Sequence, residues 1–366
     1  PDIDMPTAIT QIAGRKVAAE KIPSWWEIEK IWYPKHLSLE QCSSEITARY
    51  KARLLQGDSL TDLTGGFGID CSFLATGFKS ATYVERQEEL CEIAAHNFPI
   101  LNLNHINIKN EDGVTYLQAM SPVDCLFLDP ARRNEHGGKT VAISDCEPNV
   151  AKLEGLLLSK ANRIMIKLSP MLDLSQALKE LPHTQEVHII SVNNECKELL
   201  LLLGQTAPEE IPVHCVNLST KGEQEKQLFV FTREQEQHSE CSYTDTLGNY
   251  LYEPNASLLK AGAFRSIAAA YSVKKLHPNS HLYTSETQIE GFPGRTFRII
   301  NRCSLNKKEI KENLSDLKKA NITVRNFPAT VAELRKRIKL AEGGDTYLFA
   351  STLNDGQKIL IRCGKV

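Results

Sequence analysis

The 10 cysteines of this 366-residue sequence include no CxxC pair, and none of its apolar runs nears the ~20 residues that span a bilayer. Singly placed thiols such as Cys42, Cys71, Cys91 and Cys125 leave a zinc site without its ligand pairs. Most sit inside apolar patterns, which predicts buried free thiols in a reducing compartment and no metal. The longest apolar run, Leu199 to Leu203, suits a core strand or helix, so no membrane association is expected. Nothing reads as a signal peptide, and a cytoplasmic location is the expectation. No internal repeat and no low-complexity tract is present. Net charge is only −2, with 42% hydrophobic and 24% charged residues, the balance of an ordinary soluble globular protein of two or three domains.

That small net charge conceals an asymmetry. From Gly291 to Val366 there are 16 Lys and Arg against 7 Asp and Glu, while the rest of the chain carries 27 against 38. A basic end on an acidic body suits a polyanion-binding appendage, or else a Lys-rich solvated helix face.

Residues 1–45 read as a helical segment broken at Pro23. Its aromatic cluster, Trp25, Trp26, Trp32 and Tyr33, fits either core anchors or a base-stacking platform. From residue 58 strands alternate with helices: strand 60–64, helix 69–77, strand 80–85, helix 87–97, strand 105–109, helix 113–120, strand 123–128, helix 148–159, strand 163–168, helix 172–180 and strand 186–192. Such alternation predicts a mostly parallel sheet with helices on both faces, whose ligands sit beyond the carboxyl ends of the strands. Leu199–Leu203 is open between helix and strand. An antiparallel hairpin is expected around Lys221-Gly222, a linker over 233–246, and a helix over 255–270 capped by Tyr252-Glu253-Pro254-Asn255. Strands 281–289, 294–301 and 321–327, helices 306–319 and 330–340, and a final hairpin 346–351/357–363 predict a small α+β unit. The domain organisation expected is a helical segment 1–45, a catalytic domain 46–240, a linker and helix 241–276, and a C-terminal module 277–366.

The organising stretch is Asp62-Leu63-Thr64-Gly65-Gly66-Phe67-Gly68-Ile69-Asp70. A strand ends, glycines turn the backbone sharply, and a helix begins with its free N–H groups facing the turn. A dinucleotide fingerprint needs a third glycine, but Ile69, Asp70 and Cys71 follow Gly68. Glu85, at the end of the second strand, falls where an acidic residue grips ribose hydroxyls. Asp129-Pro130 ends the fourth strand and has no role in simple hydride transfer.

DLTGGFGID (62–70), YVER (83–86), NEDG (110–113) and LDPARR (128–133), in this order and spacing, resemble the class I S-adenosylmethionine-dependent methyltransferases. The branch most similar methylates RNA nitrogen atoms and carries an Asp-Pro-Pro-aromatic motif. The whole chain, including YEPNASLLKAGAF (252–264) and the basic end, resembles a bacterial methyltransferase family with ferredoxin-like and THUMP-like C-terminal modules. This resemblance implies a Rossmann-like α/β domain with a mostly parallel seven-stranded sheet, a helical N-terminal segment and a small α+β C-terminal module. It implies S-adenosyl-L-methionine as cofactor. Asp62, Thr64, Gly66 and Gly68 would border the methionine part, Glu85 the ribose hydroxyls and Asp112 the adenine amino group, with Gly65 and Arg86 also among the cofactor-binding residues. Asp129 would face the methyl group and, with the Pro130 backbone, act on the acceptor.

A carboxylate and a carbonyl that accept the hydrogens of an amino group localise its lone pair, so Asp129 need not be a strong base. The motif's second proline and aromatic are Ala131 and Arg132 here. Arg132 could stack on a base or bind a phosphate; Arg132, Arg133 and Lys139 could also form a plain surface loop. Lys167 and Ser169 could line an acceptor pocket or serve a salt bridge, and Glu198 reads as structural. The expected function is methyl transfer to a base nitrogen of structured RNA, with the basic module docking the RNA. The alternatives are a protein or small-molecule acceptor, or a non-catalytic RNA-binding protein.

Overall fold

The structure, a computed structural model, describes residues 4–132, 142–221 and 226–366. The chain divides into two compact units. One holds the residues up to Val192 together with Cys196–Pro212 and residues 220–221, and the other holds Asn193–Glu195, Val213–Ser219 and residues 226–366.

The first unit opens with helices α1 (Met5–Lys21), α2 (Pro23–Trp26), α3 (His36–Gln41) and α4 (Glu45–Ala52). Strands β1 (Ser59–Asp62), β2 (Ser80–Glu85), β3 (Ile106–Asn110), β4 (Val123–Leu128), β5 (Ala161–Leu168), β6 (Thr184–Val192) and β7 (Glu195–Gly204) follow. Between them run α5 (Ile69–Ala75), α6 (Glu88–Ile100), α7 (Gly113–Ala119), α8 (Val150–Lys160) and α9 (Leu174–Glu180). The strands stand in the order β6-β7-β5-β4-β1-β2-β3. Strands β1 to β5 pair in parallel, and β7 runs antiparallel beside β5. Order reverses between β1 and β4, so the crevice that such a sheet offers a ligand opens at the ends of those two strands.

Leu199–Leu203 settles as strand. Five consecutive leucines have no exposed surface because β7 lies between two neighbours and is covered on both faces. Asn193 and Asn194, at φ 49° and 66°, make the two-residue turn that joins β6 to β7; asparagine tolerates that left-handed geometry. After β4, Ala131–Arg132 pairs antiparallel with Cys146–Glu147. Most of the polar loop expected over 134–144 lies outside the described residues.

The N-terminal helices are packed onto the glycine turn. Ala18, Ile22, Trp25, Ile31, Tyr33, Leu39 and Ala48 form one buried cluster with Phe67, Ile69, Leu90 and Ile93. The Trp25 ring meets Phe67 edge-on at 5.2 Å. The aromatic cluster therefore divides: Trp25 is core, whereas Trp26 and Trp32 are 41% and 48% exposed. Trp32 stacks on His96 at 3.8 Å, and its backbone N–H and C=O both bond the fully buried Asn97 side chain at 2.9 Å.

In the second unit, Val213–Leu218 and Lys226–Phe231 form an antiparallel hairpin. A seven-stranded sheet has the order Lys274–Lys275, Tyr283–Ser285, Tyr250–Pro254, Gly294–Cys303, Lys358–Lys365, Thr346–Thr352 and Asn321–Val324. Helices Lys307–Leu314 and Val331–Ile338 bury Leu314 and Leu334 with Leu348 and Leu360 of the sheet. Three local expectations change. The helix expected over 255–270 is two, Ala256–Ala261 and Arg265–Tyr271, because Gly262 ends the first in a left-handed cap at φ 75°. The strand expected over 281–289 keeps only Tyr283–Ser285. Arg233–His238, expected as linker, is a helix held by a capping box between Thr232 and Gln235.

Asn97→Ala should cost about 1–3 kcal/mol, since two backbone groups of Trp32 lose their buried partner. Urea unfolding measures the loss, and limited proteolysis should show earlier cleavage within residues 26–35.

Candidate active site

Strand β1 delivers Asp62 to the crevice, and the chain then turns without side chains in the way. A Cβ on Gly65 would lie 2.3 Å from the Tyr83 ring, and Gly66 and Gly68 hold φ of 53° and 86°. The turn is tied to its neighbours on every side. Gly65 N–H donates to Val84 O at 2.9 Å, Gly66 N–H donates to Glu85 Oε2 at 2.9 Å, and Tyr83 Oη donates to Gly66 O. The Asp129 N–H donates to Thr64 Oγ1 at 2.7 Å. Asp62, Thr64, Gly65, Gly66, Glu85 and Asp129 are thus parts of one bonded cluster across β1, β2 and β4.

Asp62 is 1% exposed. Its Oδ1 accepts the Thr64 N–H at 2.9 Å, but its Oδ2 is buried with no partner. Burial pushes its carboxyl up to about 8, the Thr64 N–H pulls it back only partly, and Asp70, Asp129 and Glu85 add to the rise. A buried acidic oxygen with an unfilled bond is a docking point for a donor from outside, above all a cationic one.

Behind this cluster lies a chain of charges. Lys167, on β5, ion-pairs Asp129 Oδ2 and stands 3.8 Å from Asp70 Oδ2. Lys51, on α4 and fully buried, stands 2.8 Å from Asp70 Oδ1 and 2.9 Å from both oxygens of Glu198. Ser43 accepts from Lys51 at 2.8 Å and donates to Asp70 Oδ2 at 2.6 Å. Burial opposes the charge on Asp70, but Lys51 and Lys167 outweigh it and hold its carboxyl below the usual range. Burial likewise opposes the charge on Lys167, and Asp129, Asp70 and Glu198 outweigh it, so its ammonium is held well above the usual lysine range. Asp129 itself is raised by burial, against the pull of Lys167. Sequence reasoning missed Lys51, Asp70 and Ser43, whose partners lie up to 155 positions away.

Other expected site residues lie apart from that cluster. Asp112 is exposed and uses Oδ1 to cap α7, accepting from Val114 and Thr115 N–H at 3.0 Å. The next residue, Gly113, lies against β1's end; a Cβ there would sit 2.1 Å from Leu63 O. Arg86 reaches Glu147 at 3.6 Å in an exposed ion pair. Ser169 Oγ accepts from Met171 N–H at 3.3 Å in the turn before α9. Pro130 is buried beside Asp129. Arg133, Lys139 and the side chain of Arg132 lie outside the described residues.

Because the Asp62 carboxyl is raised to about 8, the folded state binds a proton there that the unfolded state releases near pH 4. That contribution is fully present below the unfolded value and is lost as pH rises through about 8. Asp62→Asn should therefore gain in melting temperature relative to the parent as pH rises from 4 to 8, and thermal unfolding across that range checks the slope.

Comparison with known proteins bears on this arrangement. Residues 250–293 match a ferredoxin-like domain and residues 294–365 a THUMP domain-like model. No curated protein matches the chain. Among solved structures, a "putative methyltransferase" from Porphyromonas gingivalis W83 superimposes with a TM-score of 0.90 and 37% identity, over 100% of this chain and 92% of that one. A modification subunit of a "putative type I restriction enzyme" from Vibrio vulnificus YJ016 matches with a TM-score of 0.37 and 12% identity, over 55% of this chain and 56% of that one. A "putative methyltransferase" from Streptococcus mutans in complex with SAH matches with a TM-score of 0.33 and 15% identity, over 44% of this chain and 96% of that one. The last two are too distant to carry an argument. With the sheet order, the turn at Gly65–Gly68 and the full-length match together, the chain belongs to the class I methyltransferase-fold family of the P. gingivalis protein, with ferredoxin-like and THUMP-like C-terminal domains.

Proposed function

We propose that the protein is an S-adenosylmethionine-dependent methyltransferase that acts on a base nitrogen of structured RNA. The observation that carries the reading is the buried, unpartnered Oδ2 of Asp62 beside the glycine turn, next to Asp129. The cofactor fits this donor and acceptor set. Asp62 Oδ2 would accept from its ammonium, and the open backbone of Thr64–Gly68 would lie along its methionine part. Each carboxylate oxygen of Glu85 has one bond in place and a lone pair left for a ribose hydroxyl. Asp112, with Oδ1 spent on its helix, would offer Oδ2 to the adenine amino group.

The cofactor supplies a methyl group on a cationic sulfur, ready for in-line displacement. The protein's part is alignment. Asp129 and the Pro130 carbonyl accept the hydrogens of the target nitrogen, aim its lone pair and stabilise the cationic product. RNA enters the reading through the THUMP-like match and the charge split. In the C-terminal unit, Lys307, Lys308, Lys311, Lys336 and Lys339 are exposed. Arg335 and Arg337 instead bond the Ala320 and Leu305 carbonyls.

A cationic ligand on Asp62 should expel its proton. Calorimetry with S-adenosylmethionine at pH 7 should give a binding enthalpy that depends on the buffer's ionisation enthalpy, and Asp62→Asn should abolish that dependence. Absence of binding ends the reading. Asp129→Ala should lower transfer of a tritiated methyl group into deproteinised RNA by about 100-fold or more, with donor affinity little changed. Label recovered in protein or metabolites would turn the reading to another acceptor. Lys336→Glu with Lys339→Glu should weaken RNA binding and reduce the magnitude of its salt slope by about 1–2.

A further inference from the structure

We propose that Lys167 is a positioning residue: it holds the Asp129 carboxylate in place as a hydrogen-bond acceptor, and is itself held by the buried set Asp70, Lys51, Ser43 and Glu198. The inference rests on the methyltransferase reading for its purpose, though not for its geometry.

Strand β5 lies beside β4, with Ile166 opposite Leu128, so Lys167 arrives next to Asp129. Its ammonium takes Asp129 Oδ2. Oδ1 has no partner among the described residues and is the oxygen left for an acceptor's hydrogen. Lys167 is 11% exposed, and its second carboxylate, Asp70, is anchored by Lys51 and Ser43 rather than by solvent. Lys51 in turn spends its remaining bonds on Glu198. Each group is fixed by the next, so Lys167 has no second place to go.

The charges also have a direction. Three carboxylates, Glu198, Asp70 and Asp129, face two ammonium groups, Lys51 and Lys167. Within this bonded set one negative charge is left over. The inner end, Glu198, is 5% exposed, whereas Asp129 is 35% exposed. The unmatched charge therefore falls at the exposed end, on Asp129, where a cationic methylated nitrogen would meet it. A proton on Asp129 would remove both the charge and the acceptor oxygen. Lys167 opposes that proton, and because its own ammonium is pinned between two carboxylates it is not a base for the reaction. Methyl transfer breaks the carbon–sulfur bond, forms the carbon–nitrogen bond, and leaves the nitrogen with one proton to lose, which Asp129 Oδ1 is free to accept and pass to water.

Besides this set, Lys21, Cys42, Lys197 and Asp62 are titratable groups in electrostatic reach, so the Asp129 signal must be assigned by subtraction. The test uses the full chain labelled with carboxyl-13C aspartate, with Asp129→Asn to identify the signal. In Lys167→Gln the Asp129 titration midpoint should rise by about 1–3 pH units, and in Lys167→Arg it should stay near that of the parent. An unchanged midpoint in Lys167→Gln overturns the proposal. Lys167→Met is the second neutral variant should Lys167→Gln not fold. In parallel, tritiated methyl transfer into deproteinised total RNA is followed against pH. Lys167→Gln should lose rate below its new midpoint at about tenfold per pH unit and regain it above, with the KM for S-adenosylmethionine unchanged. A uniform loss of rate at every pH, or a raised KM alone, also overturns the proposal. Should the parent protein transfer no methyl group to RNA, the proposed function falls, and the carboxyl titration by itself decides the role of Lys167.

Discussion

Everything in the first unit is arranged around a backbone turn that tolerates no side chain on its inner face. Gly65 lies under the Tyr83 ring, and Gly113 presses on the Leu63 carbonyl. These close approaches let β1, β2 and the start of α7 meet at one point. The bonds from Val84, Glu85, Tyr83 and Asp129 then fasten the turn to its neighbours. On the outer side Phe67 anchors the N-terminal helices through Trp25 and Tyr33. The helical segment expected over residues 1–45 is thereby part of the wall behind the candidate site.

The electrostatics of the site follow from how unequally the buried carboxylates are partnered. Asp70 has two ammonium groups and a hydroxyl, and stays ionised. Asp62, separated from it by one turn of chain, has backbone and hydroxyl donors on one oxygen only, and its proton is held to about pH 8. Breaking a buried ion pair by removing one partner costs about 3–5 kcal/mol, so the Lys51–Asp70 contact is a structural constraint as much as an electrostatic one. The same low-dielectric setting makes the unpaired Asp62 oxygen a site of strong preference for a cation.

The second unit is built on a different logic. Its core is a mixed seven-stranded sheet with Leu314 and Leu334 packed from two short helices, and the matched ferredoxin-like and THUMP-like segments divide it at residues 293 and 294. Its basic residues are not all alike. Arg335, Arg337 and Arg362 are committed to carbonyls or to Asp316, while several lysines on the two helices stay exposed. The charge excess counted in the sequence is therefore partly structural and partly free for a polyanion.

How much was legible in sequence depended on range. The alternation of strands and helices, the glycine turn and the ends of β1, β2 and β4 could be read because each is set within a few residues by periodicity, glycine and the need to bury apolar faces. The resemblance to a methyltransferase family rested on those same local motifs, and the full-length structural match agrees with it. Local signals misled where a single residue intervened, as when Gly262 split a helix. Leu199–Leu203 could not be assigned from its leucines, because a run buried on both faces has no period; only its place between β5 and β6 decided it. The same holds for the site's charges. Asp129 stood out at a strand end, but Lys51, Asp70 and Glu198 have meaning only through one another. Ion pairs between residues 19 and 147 positions apart leave no pattern along a chain, because the folded backbone alone sets the few ångströms that couple them.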